Sequence, residues 1–264
     1  MMRRSLLPAA FLLVPALLSA QRDPCRNVWG DDSRARVCEV RNLGAKATGA
    51  LRIDPGANGG AEVEVWDRDS IGVEARVLSY ARNEDDATAL QRQITVTLVQ
   101  GVLTAEGPRT RDPEGWAVIF KVKVPRTQDL DIETSNGPIG VAGVTGTLRL
   151  QTTNGPVTLD RVNGDVRARL QNGPLTVAFG GSGWQGAGLD AETTNGPLTL
   201  EIPSDYNAVL ETGTVNGPLD AQIPITVQGN LGRGRRSFTT TLGRGGVTLR
   251  AKTTNGPLTL ARAR

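Results

Sequence analysis

"TTNGPVTLDRVNGDVRARLQNGPLTV" (residues 152–177) contains the same corner twice, Asn154-Gly155-Pro156 and Asn172-Gly173-Pro174, 18 positions apart with Gly164 midway. The corner recurs along the chain at Asn136, Asn195, Asn216 and Asn255, each followed by Gly-Pro. Reading outward from the Asn decides the periodicity. Six positions before it stand Leu130, Leu148, Val166, Leu189, Leu210 and Leu249; after the Pro stand Ile139, Val157, Leu175, Leu198, Leu219 and Leu258. The flanking alternate positions are also apolar or small, a period of two on both sides of the corner that no helix produces. Each unit has one apolar face it cannot bury alone, whereas stacked copies can. The pattern predicts an all-β β-solenoid (a single-stranded β-helix) of 18-residue coils, with insertions of five and three residues in later coils.

The corner chemistry follows from residue type. Asn tolerates a left-handed conformation and Gly adopts it freely, so the pair is expected to turn the chain; Pro then fixes φ and is expected to end strand pairing. Parity directs the Asn side chains inward, where successive amides would hydrogen-bond as a ladder. The 39-residue step from Asn216 to Asn255 reads as two coils with a degenerate corner around Ser237–Gly246.

The remaining chain organises around this repeat. Residues 1–20 read as a signal peptide: Arg3 and Arg4, an apolar run from Leu6 to Leu18, and small residues before a cut at Gln21. The run is too short to span a membrane. Cys25 and Cys38 then fall in an oxidising compartment and read as one disulfide stapling a segment over 21–39. The solenoid occupies 40–264, degenerate over 40–129 and regular over 130–264. Its degenerate part includes Asn58-Gly59-Gly60, a "GVEARV" (72–77) that echoes residues 164–170, and a helical insertion near 83–94 capped by Asn83 or Asp85. Trp66 reads as core. The last coil ends near Arg262 without a polar cap, so end-to-end self-association or an end-on partner is expected.

Four features, "VWDRDSIGVEARV" (65–77), the helical insertion, "FKVKVP" ending at Pro125, and the "TxNGP" coils, resemble the bacterial putative-adhesin family of unknown function, also called toast-rack domains. The resemblance covers roughly residues 40–264 and implies an exported β-helix of the cell envelope or surface, with no catalytic residues to carry across. The regular Pro after Asn-Gly departs from the family pattern.

Functional candidates are few. The chain has no His, which excludes Ser-His-Asp and Cys-His nucleophile systems and the usual zinc sites. Asp129, Asp131 and Glu133 near Arg149, Arg167 and Arg169 are the alternative of a glycan lyase or hydrolase, against a solvated face of cross-strand ion pairs. Calcium-binding β-rolls need an Asp in each turn, which is absent, so no metal or other cofactor is expected. Outward Thr columns (Ser135, Thr153, Thr194, Thr254 and Thr158, Thr176, Thr199, Thr259) break at Gln171, Val215, Gly140 and Asp220, and read as ordinary strand surface. Trp184, in the Gly-rich loop 179–188, either stacks on a sugar or partner or folds back on the core. Arg233, Arg235 and Arg236, with Arg244, form a loop cluster that could meet anionic polymers. Thirty Lys and Arg against 27 Asp and Glu, with two of the cations in the leader, give no nucleic-acid signature. The resulting expectation is a non-enzymatic, adhesin-like binding protein whose partner is an envelope polysaccharide or surface protein. A glycan-active enzyme and a purely architectural envelope protein are the alternatives.

Overall fold

The structure, a computed structural model, describes Cys25 and residues 34–47, 49–226, 228–230 and 236–263, with only the backbone described for Gly229, Asn230 and Arg236. In chain order the N-terminal part comprises β1 (Ala35–Lys46), β2 (Ala50–Asp54), β3 (Gly60–Val65), β4 (Ser70–Ala81), α1 (Glu84–Gln91), β5 (Thr95–Val99), β6 (Val102–Glu106) and β7 (Gly115–Val124). The repeat region follows as β8 (Asp129–Asn136), β9 (Ile139–Ala142), β10 (Thr145–Asn154), β11 (Val157–Asp160), β12 (Asn163–Asn172), β13 (Leu175–Ala178), β14 (Gly188–Asn195) and β15 (Leu198–Ile202). The chain closes with β16 (Ala208–Asn216), β17 (Leu219–Ala221), β18 (Gln228–Asn230), β19 (Arg236–Leu242), β20 (Thr248–Asn255) and β21 (Leu258–Arg262).

Among the described residues these strands form two large mixed sheets. The ten-stranded sheet runs β1-β4-β7-β3-β9-β11-β13-β15-β21-β17, and the eleven-stranded sheet β18-β19-β16-β20-β14-β12-β10-β8-β2-β6-β5. Each Asn-Gly-Pro corner carries the chain from the second sheet into the first. The columns read from the sequence fill the space between them: Leu130, Leu148, Val166, Leu189, Leu210 and Leu249 face Ile139, Val157, Leu175, Leu198 and Leu258, all 0–3% exposed. The fold is therefore all-β with one helix, but not a closed solenoid. Parallel ladders with in-register Asn run from β8 through β14 and β20 to β16. Antiparallel strands are added outside the parallel layers, β4 and β1 beyond β7, β5 beyond β6 and β19 beyond β16.

Three expectations about the ends are corrected. β1 and "GVEARV" (72–77) do not form degenerate coils; β1 and β4 pair antiparallel, and β4 pairs antiparallel with β7. The corner at Asn58-Gly59, between β2 and β3, continues the stack, and β6 and β7 add one more layer in parallel on β2 and β3. The Ser237–Gly246 region is likewise no coil, because β19 lies antiparallel on β16 and extends the sheet sideways. That frees the next slot for the last segment: β20 inserts between β14 and β16, and β21 between β15 and β17. The final coil is thus interior to the stack, not an exposed end.

The corners also work differently from expectation. The six Asn side chains lie on the outside, and the inward position belongs to the first Thr of "TTNGP". Thr134, Thr152, Thr193, Thr214 and Thr253 are 2–4% exposed. The Thr193, Thr214 and Thr253 hydroxyls donate to the Gly173, Gly256 and Gly196 carbonyls at 2.8–2.9 Å, which satisfies polar groups buried at the bend. The Asn backbone is not left-handed, and strand pairing does not stop at Pro. Gly155 N–H donates to Asn172 O and Val157 N–H to Pro174 O, so the ladder continues round the corner past the residue that has no N–H. Gly is required mainly by close approach: a Cβ on Gly173 would stand 2.7 Å from the Gly155 carbonyl carbon.

The disulfide joins Cys25 to Cys38. Helix α1 is capped by Asn83, whose side chain accepts from Asp86 N–H at 2.9 Å, and packs against β4 and β1. It buries Ala87, Leu90 and Gln91. Trp66 is not core: its ring lies over Gly72 on the outside of β4, its Nε1–H donates to Ser70 O at 2.7 Å, and Arg68 stacks on it at 5.0 Å. Among the described residues no helix is long and apolar enough to cross a membrane.

Candidate functional site

The stack presents three repeating surfaces: the corner and the outer face of each sheet. At the corner the Asn amides form one head-to-tail chain. Asn216 donates to Asn255, which donates to Asn195, and the chain continues through Asn172 and Asn154 to Asn136, each bond 2.8–2.9 Å. Asn136 ends it on Ala57 O and Asn58 Oδ1. Parallel in-register pairing places every amide one strand spacing, about 4.8 Å, from the next, so one side chain's Nδ2–H reaches the next one's Oδ1. The bonds all point the same way and polarise one another. This is a structural seam, since each amide is already engaged along the stack.

The outer face of the eleven-stranded sheet is charged and largely self-neutralised. Arg149 pairs with Asp165 at 2.8 Å, Arg169 with Asp190 at 2.6 Å and Glu192 at 3.6 Å, Arg250 with Glu211 at 3.0 Å and Arg52 with Glu133 at 3.6 Å. The hydrogen bond from Arg149 holds the Asp165 carboxyl below its ordinary range. Asp129 is occupied too, accepting from Thr147 N–H at 2.6 Å. Acid and base mostly alternate across strands, as a solvated, cross-paired face requires. Arg149 opposite Arg167 is the exception, where Asp165 pairs with Arg149 at 2.8 Å and lies 3.9 Å from Arg167. One irregularity interrupts it: Gly213 stands where neighbouring strands carry Lys252 and Glu192, leaving a cleft of 180 Å³ lined also by Ser237, Thr194 and Thr254.

The ten-stranded sheet changes character along its length. One outward row reads Asn42, Glu74, Lys121, Glu62, Gly140, Thr158, Thr176, Thr199, Thr259, Asp220 in spatial order. Its first half is ion-paired, with Lys121–Glu62 at 3.7 Å and Lys123–Glu64 at 3.4 Å in the next row. Its second half carries short side chains and no charge from Gly140 to Thr259, ending on Asp220, and the neighbouring row adds Ala142, Ala178 and Ala261 alternating with Asp160 and Glu201. Thr199 and Thr259 are separated in the sequence by Asp220, but the insertion of β21 beside β15 makes them neighbours. Sequence reasoning counted a broken column; space gives four Thr in a row. Where the charged and small halves meet, Gly140 and Ala142 floor a depression of 240 Å³ rimmed by Glu62, Glu64, Lys121, Thr158 and Asp160.

The sequence-derived binding candidates do not converge. Trp184 is 8% exposed, its ring edge-on to Phe179 at 6.2 Å and its Nε1–H bonded to Gly164 O at 3.0 Å; it folds back on the core. Phe179 stacks in turn on Tyr206 at 5.2 Å. Arg233 and Arg235 lie outside the described residues, and Arg236 opens β19 with its side chain not described. Sequence reasoning also missed Arg41. Its guanidinium reaches from the edge strand β1 to the carbonyls of Ile94 (2.6 Å) and Gln91 (3.4 Å), supplying the cation that the last turn of α1 lacks. Arg41 also binds Glu39 at 2.7 Å, and that hydrogen bond lowers the Glu39 pKa. No local signal links residue 41 to 94.

No protein-family model matches this chain, and no curated protein matches it either. Among solved structures it is similar to a "putative cell adhesion protein" from Clostridium sporogenes, with 9% identity, 86% of this chain and 100% of that one covered, and a TM-score of 0.40. It is also similar to a "putative adhesin" from Bacteroides fragilis, with 11% identity, 84% and 97% covered, and a TM-score of 0.34. A third is a "putative lipid binding protein" from Parabacteroides distasonis, with 9% identity, 85% and 97% covered, and a TM-score of 0.30. The first two carry the name of the family that the sequence motifs resemble. At these identities and TM-scores the similarity carries no argument about ligand or activity.

Proposed function

We propose that this chain is an exported, non-enzymatic binding protein of adhesin type, acting at the cell envelope or surface on an extended polymer such as an envelope polysaccharide. The observation that supports this most is the uncharged row Thr158–Thr176–Thr199–Thr259 with its flanking alanines. Four hydroxyls at a spacing of about 4.8 Å form a strip of short side chains, edged by alanines alternating with Asp160 and Glu201. A repeating ligand can meet it at several points, each weak and together additive. The opposite face offers no comparable strip, because its carboxylates and guanidinia satisfy each other. That mutual pairing also favours the non-enzymatic reading over a carboxylate-based glycan enzyme. In this reading residues 1–20 are removed on export, the disulfide anchors the segment before β1, and β8–β15 form a flattened, solenoid-like body closed by the antiparallel strands at each end.

The test is retention of the mature chain, residues 21–264, on purified envelope fractions and polysaccharides, with released sugar read in the same tubes. Thr176→Lys and Thr199→Lys should lower retention about tenfold, roughly 1.4 kcal/mol, and leave the melting temperature unchanged. Unaltered retention would move recognition off this face. Released product would overturn the non-enzymatic reading.

A further inference from the structure

We infer that the cleft beside Tyr206 is a binding site for a small carboxylate bearing a short apolar chain. The site lies at the β17–β19 end of the stack, away from the Thr strip, and does not depend on the envelope-binding reading. Its volume is 130 Å³, room for about four waters' worth of liquid or a chain of a few carbons. Ile202, Pro203, Ile223, Pro224 and Leu242 supply apolar walls, while Ser204, Thr241, Tyr206 and Arg262 supply hydroxyls and a guanidinium. No acidic side chain is among the described lining residues, so the polar complement is able to donate hydrogen bonds but carries no negative charge.

Tyr206 is the informative residue. It is 2% exposed, its ring face is occupied by Phe179, and its hydroxyl has no hydrogen-bond partner among the described residues. The hydroxyl is not among the fully enclosed polar atoms, so although the ring is covered the O–H is reachable from the cleft that the residue lines and is free to donate to a ligand there. Here the side chain lines a cleft whose mouth holds Arg262, itself without an ion-pair partner among the described residues. Burial raises the phenol's pKa, so at physiological pH it stays a donor. A carboxylate in the cleft accepts from the phenol and pairs with the guanidinium, and its aliphatic end lies on Ile202, Ile223 and Leu242. A cation meets hydroxyl oxygens but no carboxylate there and is repelled by Arg262, and an alcohol loses the Arg262 interaction.

The experiment titrates hexanoate, hexanol and hexylammonium into the mature chain by calorimetry and by ¹H–¹⁵N chemical-shift perturbation. Hexanoate should saturate, with shifts confined to residues 202–206, 223–225 and 241–243. Hexanol should bind at least tenfold more weakly and hexylammonium not at all. Tyr206→Phe and Arg262→Gln should each weaken hexanoate about fivefold. Tyr206→Phe should also melt no lower than wild type, because it removes no hydrogen bond made within the described residues. Failure of hexanoate to bind, equal binding by both variants, or equal binding of hexylammonium would each overturn the assignment.

Discussion

Replacing Gly173 by Ala tests whether the corners are governed by close approach. The added methyl would stand 2.7 Å from the Gly155 carbonyl carbon, where carbon contacts ordinarily begin at about 3.5 Å. Gly173 also has φ +151°, a conformation that costs an L side chain about 1–3 kcal/mol. Relieving the clash separates the two coils by roughly 0.8 Å at the corner. Three bonds of 2.9–3.0 Å cross that gap: Gly155 N to Asn172 O, Val157 N to Pro174 O, and Asn172 Nδ2 to Asn154 Oδ1. Stretched by that amount they leave hydrogen-bonding range, at about 1 kcal/mol each. The sum is about 4–6 kcal/mol, or a fall in melting temperature of roughly 8–20 °C for a chain of this size. Gly140→Ala is the control, since its nearest neighbour, Glu62 Cγ, is 3.9 Å away. Far-UV circular dichroism melts of the two variants decide the matter. If Gly173→Ala melts within about 2 °C of wild type, or if Gly140→Ala is equally damaging, the close-approach account fails.

Asn172 makes two ladder bonds and Asn216 one, so urea unfolding should show Asn172→Ala losing about 1–2 kcal/mol and Asn216→Ala about half that; equal losses would mean the ladder contributes nothing. Arg41→Met should speed amide exchange at residues 88–94 selectively while leaving β10 and β12 protected, and unchanged exchange would refute the remote helix cap. Tyr206, pushed up to about 12 by burial, ionises later in the folded than in the unfolded chain. Its stabilising effect is therefore complete below about pH 10 and is lost as pH rises toward 12. In a Tyr80→Phe background, phenolate absorbance should rise only near pH 12, and a midpoint near 10 would show the ring to be solvated.

How far the sequence reaches can be judged residue by residue. Period-two columns beside each Asn-Gly-Pro determined the strands, the corner positions, which faces are buried and the in-register stacking of Asn on Asn. These are local consequences of side-chain alternation and repeat length, and they hold whichever coil sits beside which. The cap at Asn83 is equally local, as is the Cys25–Cys38 staple across 13 residues. Coil order is not local. Nothing in residues 248–262 says whether that coil follows β16 or slides between β14 and β16, because each coil offers the same kind of backbone edge and an inward face that is apolar or small at the same positions. Only the antiparallel return of β19 onto β16 leaves that slot to be filled from behind, and the choice assembles the Thr row. The same holds for Arg41 on the end of α1 and for Tyr206 at its cleft: these meetings join distant segments that no periodicity relates. The direction of the Asn was missed for a different reason. Strict alternation assumes a straight strand, and at the bend the Thr two positions earlier takes the inward place while the Asn is turned out to join its neighbours.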